Sequence, residues 1–143
     1  MKGQSDIAFF FEEVNIPGFS EKKARDWIIK AILVEGQEPG EISFIFCNDE
    51  YLHLLNIQYL NHDTLTDIIT FDYCQESGNI SGDLFISLDR VRENASDLNI
   101  SFNDELHRVM IHGVLHLLGY TDKDAAEADL MRQRENYYLT LQV

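Results

Sequence analysis

Cysteine is scarce in this chain. Cys47 and Cys74 are the only two in 143 residues, and they form no Cys-x-x-Cys pair, so no disulfide framework is expected and both are read as reduced thiols packed in strands. Long apolar runs are missing as well. The first one, Ile7 to Phe11, follows Lys2 and is cut off by Glu12 and Glu13, so neither a signal peptide nor a membrane span is expected and the chain is placed in the cytoplasm. Basic residues are few, with 11 Lys and Arg against 25 Asp and Glu for a net charge of −14. That balance repels polyanions at long range, although screening shortens the repulsion to about 8 Å at physiological salt. Only local clusters can offset it: Lys22, Lys23, Arg25 and Lys30 opposite the Trp27 and Ile28 face of the first helix, or Arg90, Arg92, Arg132 and Arg134. For any one of them the plain reading is a solvated face. Repeats and low-complexity linkers are also lacking. At 45% hydrophobic, residues 1–143 can bury one sizeable core but not two, so a single domain is expected.

What is present alternates. Ile7 to Phe11 reads as a strand, and Ser20 then caps a helix in which Ala24, Trp27, Ile28 and Ala31 recur at helical spacing until Gly36. Glu41 to Cys47 reads as a second strand. Asn48 caps a helix with Leu52, Leu55 and Tyr59 as its apolar stripe. Ile68 to Tyr73 and Leu84 to Ser87 read as strands of a hairpin turning through Glu76-Ser77-Gly78-Asn79. Helices are expected from Leu88 to Leu98, from Ser101 with Asp104 and Glu105 in its first turn, and from Asp124 to about Tyr138. The first strand, helix and second strand suggest a right-handed parallel crossover, so the fold class expected is α/β (α+β), a mixed sheet covered by helices.

The run Ile111-His112-Gly113-Val114-Leu115-His116-Leu117-Leu118-Gly119-Tyr120-Thr121-Asp122 carries the chemistry. At 3.6 residues per turn His112 and His116 differ by only about 40° around the axis, so both rings lean toward one point about 5–6 Å across. Val109 to Leu118 is otherwise apolar on every face, which predicts a helix buried all round with its imidazoles at the floor of a cleft. Two unpartnered buried imidazoles are costly, and a shared metal ion removes that cost. Gly119 can take the left-handed conformation that ends a helix, letting Asp122 swing in as a third ligand. Asp122 can alternatively cap the next helix, but Asp124 with Glu127 fits a capping box better.

The spacing His-x-x-x-His-x-x-Gly resembles that of metzincin proteases, whose first histidine is followed by a glutamate base. Gly113 stands there instead, which disfavours a peptidase. The chain more closely resembles the bacterial YbeY family of metal-dependent endoribonucleases and rRNA maturation factors, whose signature runs His-Gly-x-Leu-His-Leu-x-Gly-Tyr-Asp-His. Leu55 to Tyr59 with Thr66-Asp67-Ile68-Ile69-Thr70-Phe71 resembles a second family block, and Gly82-Asp83-Leu84 a third. The resemblance implies a four-stranded mixed sheet, single-stranded RNA as substrate, ribosomal RNA and a ribosomal particle or protein as partners, and no membrane. Two positions depart from it. The third histidine falls on Asp122, which two-histidine, one-carboxylate zinc chemistry accommodates, and the arginine after the tyrosine falls on Leu60, which cannot clamp a phosphate. Asn56, Thr66, Asp67 and Asp83 sit on family positions and are read first as loop hydrogen-bonding residues. His53, His62 and His107 lack ligand spacing and are read as surface or capping residues.

The expectation is therefore a hydrolase with His112, His116 and Asp122 around one divalent ion, zinc or nickel, with water in the fourth position and no side chain assigned as general base. A metal-binding ribosome assembly factor with little catalysis is the alternative that Leu60 favours. A two-histidine, one-carboxylate iron oxygenase is formally open, though its ligands less usually share one helix.

Overall fold

The computed structural model describes residues 6–61 and 65–142. Its four strands, β1 (Asp6–Phe11), β2 (Pro39–Cys47), β3 (Ile68–Asp72) and β4 (Ile80–Ser87), form one sheet in the order β1-β2-β4-β3. β1 and β2 pair in parallel, β2 and β4 in parallel, and β3 and β4 antiparallel, so the sheet is mixed as expected. Between the strands run α1 (Glu21–Val34), α2 (Asp49–Leu60) and the short α3 (Cys74–Ser77), and after β4 come α4 (Leu88–Leu98), α5 (Phe102–Leu117) and α6 (Ala125–Leu139).

Side chains alternate across the strands, as a period of two requires. Ile42, Phe44 and Phe46 of β2 and Leu84 and Ile86 of β4 point to the main core, which α1, α4, α5 and α6 complete with Ile28, Val91, Met110 and Tyr138. The opposite face holds a smaller cluster of Cys47, Leu52 and Ile69 under α2. The helices start where short polar caps satisfy free amides. Ser20 accepts from the Lys23 amide, Asn48 from Tyr51, Ser87 from Arg90 and Ser101 from Asp104.

Helix α5 crosses the sheet through the middle of the core. Val109, Met110, Ile111, Val114, Leu115 and Leu117 are all buried, each contributing roughly 1.5–3 kcal/mol by burial. Gly113 makes the crossing possible, since a Cβ there would stand 2.7 Å from both the Ile68 and Leu84 side chains.

Several expectations change in detail. Cys74 opens α3 within the β3–β4 connection rather than lying in a strand, because Asp72 Oδ1 accepts its amide and starts a turn. β2 and β4 begin at Pro39 and Ile80, earlier than their apolar runs, because the Ile80 amide reaches the Glu38 carbonyl and extends the ladder. Tyr59 is 64% exposed and meets Phe71 edge-on instead of completing an apolar stripe, since only Leu52 and Asn56 of α2 are buried. His107 is half-buried and packs edge-on against Trp27 at 5.5 Å. His62 lies outside the described residues. Among the described residues no helix is long and apolar enough to cross a membrane.

Candidate metal centre

The C-terminal turns of α5 carry His112 and His116, and Gly119, at φ 106°, turns the chain back so that Asp122 faces them. The two Nε2 atoms are 3.0 Å apart, and Asp122 Oδ2 stands 3.5 Å from His112 Nε2 and 3.8 Å from His116 Nε2. Ligands of one tetrahedral ion at about 2.0–2.1 Å sit roughly 3.3 Å from one another, so the three atoms have the spread such an ion needs. All three residues predicted from the sequence thus meet at one point, and they form a group able to hold a metal ion.

Each ring is oriented from behind. His112 Nδ1 lies 2.6 Å from Glu135 Oε2, and His116 Nδ1 lies 3.0 Å from the Tyr120 carbonyl. A carbonyl and an ionised carboxylate only accept, so both Nδ1 atoms donate and both Nε2 lone pairs turn toward each other and toward Asp122. Three electron-rich atoms facing one space are a poor arrangement without a cation and a good one with it. The donor set of two imidazoles and a carboxylate suits zinc or nickel chemistry.

The surroundings bias the charges. Burial opposes the ionised form of Glu135, but hydrogen bonds from His112 and Arg108 hold its carboxyl below the usual range. Burial likewise opposes charge on His112, yet Glu135, Asp122 and Asp67 raise it, whereas burial and the neighbouring His112 lower His116. Arg108 Nη1 stands 2.8 Å from Glu135 Oε1 and Nη2 donates to Asn136 Oδ1, fixing the carboxylate that fixes His112. The loop behind His116 is tied down by a second network. The Tyr120 hydroxyl donates to Glu35 Oε1 at 3.0 Å, and Arg134 and the Tyr138 hydroxyl both reach Glu35 Oε2. Despite burial, these three partners lower Glu35.

Two cavities meet at the triad. An open cleft of about 600 Å³ is lined by Leu60, Thr66, Thr70 and His116, and a smaller cavity of about 230 Å³ by Glu105, Arg108, Met131 and Glu135. Asp67, His112 and Asp122 line both. Of the family-position residues read as structural, Asp67 therefore reaches the centre, and burial raises its carboxyl. Asn56 is buried in α2, Thr66 donates to the Ile68 carbonyl, and Asp83 accepts from Tyr73 on another face of the sheet. Asp124 caps α6, accepting from the Glu127 amide at 2.8 Å, which leaves Asp122 available. Glu127 completes the box differently from expectation, its carboxylate taking the Lys123 amide and the Thr121 hydroxyl.

The cationic candidates are mostly engaged. Arg90 pairs with Asp49 and Glu93, Arg92 with Asp89, Lys22 with Asp26, and Arg25 donates to the Ile7 carbonyl. Arg134 belongs to the Glu35 network. Arg132, its side chain 65% exposed, stands at the rim of the smaller cavity with its Nε 4.0 Å from Glu135 Oε1.

Sequence reasoning passed over Glu135, Arg108 and Glu35, and read Glu105 only as a first-turn acid of α5. The first had a signal: Met131, Glu135 and Tyr138 recur at helical spacing and are all buried, so a carboxylate occupied a core stripe of α6.

Known proteins share the sequence and the fold of this chain. The family described as Endoribonuclease YbeY matches residues 9–142. An Endoribonuclease YbeY from Flavobacterium johnsoniae is 54% identical over 117 residues, 82% of this chain and 84% of that protein. One from Parabacteroides distasonis is 47% identical over 135 residues, 94% of each chain. The solution structure of a Thermotoga maritima protein superposes with a TM-score of 0.66 at 27% identity, covering 93% of this chain and 86% of that one. A sheet of this order, a buried helix bearing His112 and His116 and a family match across nearly the whole length lead to one conclusion: the chain belongs to the Endoribonuclease YbeY family.

Proposed function

We propose that His112, His116 and Asp122 hold one divalent ion with which this chain cuts single-stranded RNA in ribosomal RNA maturation and ribosome quality control. The coarser part of that statement comes with the family: the chain is an endoribonuclease, a hydrolase of RNA. The observation that supports the metal ion is the convergence of two Nε2 lone pairs and a carboxylate while both Nδ1 atoms are committed elsewhere. A bound ion would supply Lewis acidity toward a phosphoryl oxygen and a more acidic water. Zinc suits the donor set best, with nickel next.

The protein's own residues prepare that chemistry. Glu135 and the Tyr120 carbonyl fix the imidazole tautomers, while Arg108 holds Glu135 and Glu35 accepts from the Tyr120 hydroxyl. Asp122, its side chain 43% exposed, keeps one side of the centre open to solvent and substrate. Asp67, lining both cavities, is placed to hold a proton beside a phosphate in the cleft. The peptidase design does not fit: where it needs a glutamate stands Gly113, packed against Ile68 and Leu84 with no room for a side chain.

Residues 1–143 act as a single domain in the cytoplasm, and a ribosomal particle or protein supplies the RNA affinity that a net charge of −14 withholds. Leu60, 44% exposed on the open cleft, favours a second reading, an assembly factor with little catalysis, because no arginine stands there for a phosphate. Cleavage of single-stranded RNA by the purified protein, with Leu60→Arg beside it, separates the two. Chelator-sensitive cleavage supports the nuclease reading. Binding to ribosomal particles without cleavage, with cutting gained in Leu60→Arg, supports the assembly factor, and chelator-sensitive casein cleavage with RNA intact overturns both.

A further inference from the structure

We propose that the smaller cavity beside His112 is a nucleobase pocket that takes a guanine of the substrate strand, with Glu105 accepting from the base's N–H edge and Arg132 at the rim facing the adjoining phosphate. The inference deepens the RNA reading and rests on it.

Four features lead there. The cavity, about 230 Å³, is smaller than the roughly 300–1,000 Å³ of sites that take a drug-sized ligand, a scale suited to one planar base. Val109, Ala128 and Met131 supply apolar walls for the ring faces. Glu105 lines the same space from a helix residue only 5% exposed, and among the described residues its Oε1 has no hydrogen-bond partner. A buried acceptor without a donor is costly, and a ligand that brings the donor recovers that cost. Burial correspondingly raises the Glu105 carboxyl. Lastly, the cavity shares Asp67, His112 and Asp122 with the open cleft, so a strand passing the centre can leave one base on this side and continue on the other.

The chemistry of the occupant follows from the charges. Asp67, Glu105, Asp122 and Glu135 line the cavity, so a phosphate is repelled from its floor and a donor-rich edge is attracted. Arg108 is taken by Glu135 and Asn136, whereas Arg132, its side chain 65% exposed, only approaches Glu135 Oε1 at 4.0 Å and is the cation at the rim. A carboxylate only accepts. Guanine presents N1–H and its N2 amino group side by side. Cytosine and adenine each present one amino group beside an acceptor nitrogen, and uracil presents one N–H between two carbonyls. Guanine is therefore the base whose edge best matches Glu105, in the way that single-stranded RNA is read on its Watson–Crick edge.

The test is calorimetric titration of the zinc-loaded protein with the four ribonucleoside 5′-monophosphates, in the wild type, Glu105→Gln and Ala128→Leu, with the ends of cleaved single-stranded RNA sequenced in parallel. Guanosine monophosphate is expected to bind at least about tenfold tighter than uridine monophosphate. Glu105→Gln replaces an acceptor by a donor without changing size, and should abolish that preference while leaving uridine binding unchanged. Ala128→Leu narrows the cavity from an exposed helix position and should weaken guanosine most. Equal binding of all four nucleotides, or a preference that survives Glu105→Gln, overturns the pocket. A guanosine preference that Glu105→Gln abolishes, found together with intact RNA, upholds the pocket and strikes the nuclease reading instead.

Discussion

At the level of single side chains, Asp122 reaches the histidine nitrogens whereas Asp124 accepts from the Glu127 amide, so loss of each carboxylate has a different consequence. Asp122→Ala is expected to weaken metal binding strongly with little change in the metal-free melting temperature. Asp124→Ala should cost on the order of 1 kcal/mol of stability and leave metal affinity nearly unchanged. Metal titrations and thermal melts of both variants decide it, and a reversed pattern would reassign the third ligand. A second residue-scale expectation concerns His107, which burial against Trp27 pushes below its usual value. The folded state then favours the neutral ring, while the unfolded state takes up a proton near about pH 6.5. Its contribution to stability is present above that pH and is lost as pH falls through the depressed folded value. The metal-free wild type should therefore lose more stability between pH 7 and 5 than His107→Gln does; equal losses would show that the ring is not held neutral. The histidine pair was legible in the sequence because two imidazoles one turn apart in an apolar helix need a shared partner to offset their burial. Glu105 and Glu35 were not, since their importance comes from the cavity and the loop they meet, far away in the chain.

Among the elements, α5 and the sheet are the pair on which the centre depends, and Gly113 sets how closely they approach. Gly113→Ala places a methyl group against Ile68 and Leu84, the latter fully buried, and overpacking of this kind typically costs about 1–3 kcal/mol. A lowered melting temperature with weakened metal binding is expected, because shifting α5 displaces both histidines together. Unchanged melting would mean that the sheet yields freely. Capping residues made the helices legible: Ser20, Asn48, Ser101 and Asp124 each sit where their side chains take a free amide. Strand ends were harder, as Pro39 and Ile80 join the sheet through backbone pairing that no apolar pattern marks. The short α3 was missed for a similar reason, being a single turn that Asp72 starts locally. Tyr59 misled because helical spacing records where a side chain points and not how far the neighbouring sheet extends.

On the scale of the whole molecule, an acidic protein carries a centre suited to polyanion chemistry, and most of its arginines are already paired with carboxylates. Affinity for free RNA should consequently be weak and fall further with salt, since few cations remain to displace counterions. Net charge alone argued against the substrate class; the family match and the geometry at His112 outweigh it, because catalysis needs a local site and recruitment can come from a partner. The most direct measurement is a titration in which zinc is returned to the chelated protein while bound metal and cleavage of single-stranded RNA are followed together, in the wild type and in the His112→Ala, His116→Ala double variant. Cleavage should rise in proportion to bound metal and saturate near one ion per chain, with the double variant neither binding nor cutting. Cleavage by the metal-free protein, or a double variant that keeps more than half of the bound metal, would contradict the assignment of the centre to these residues.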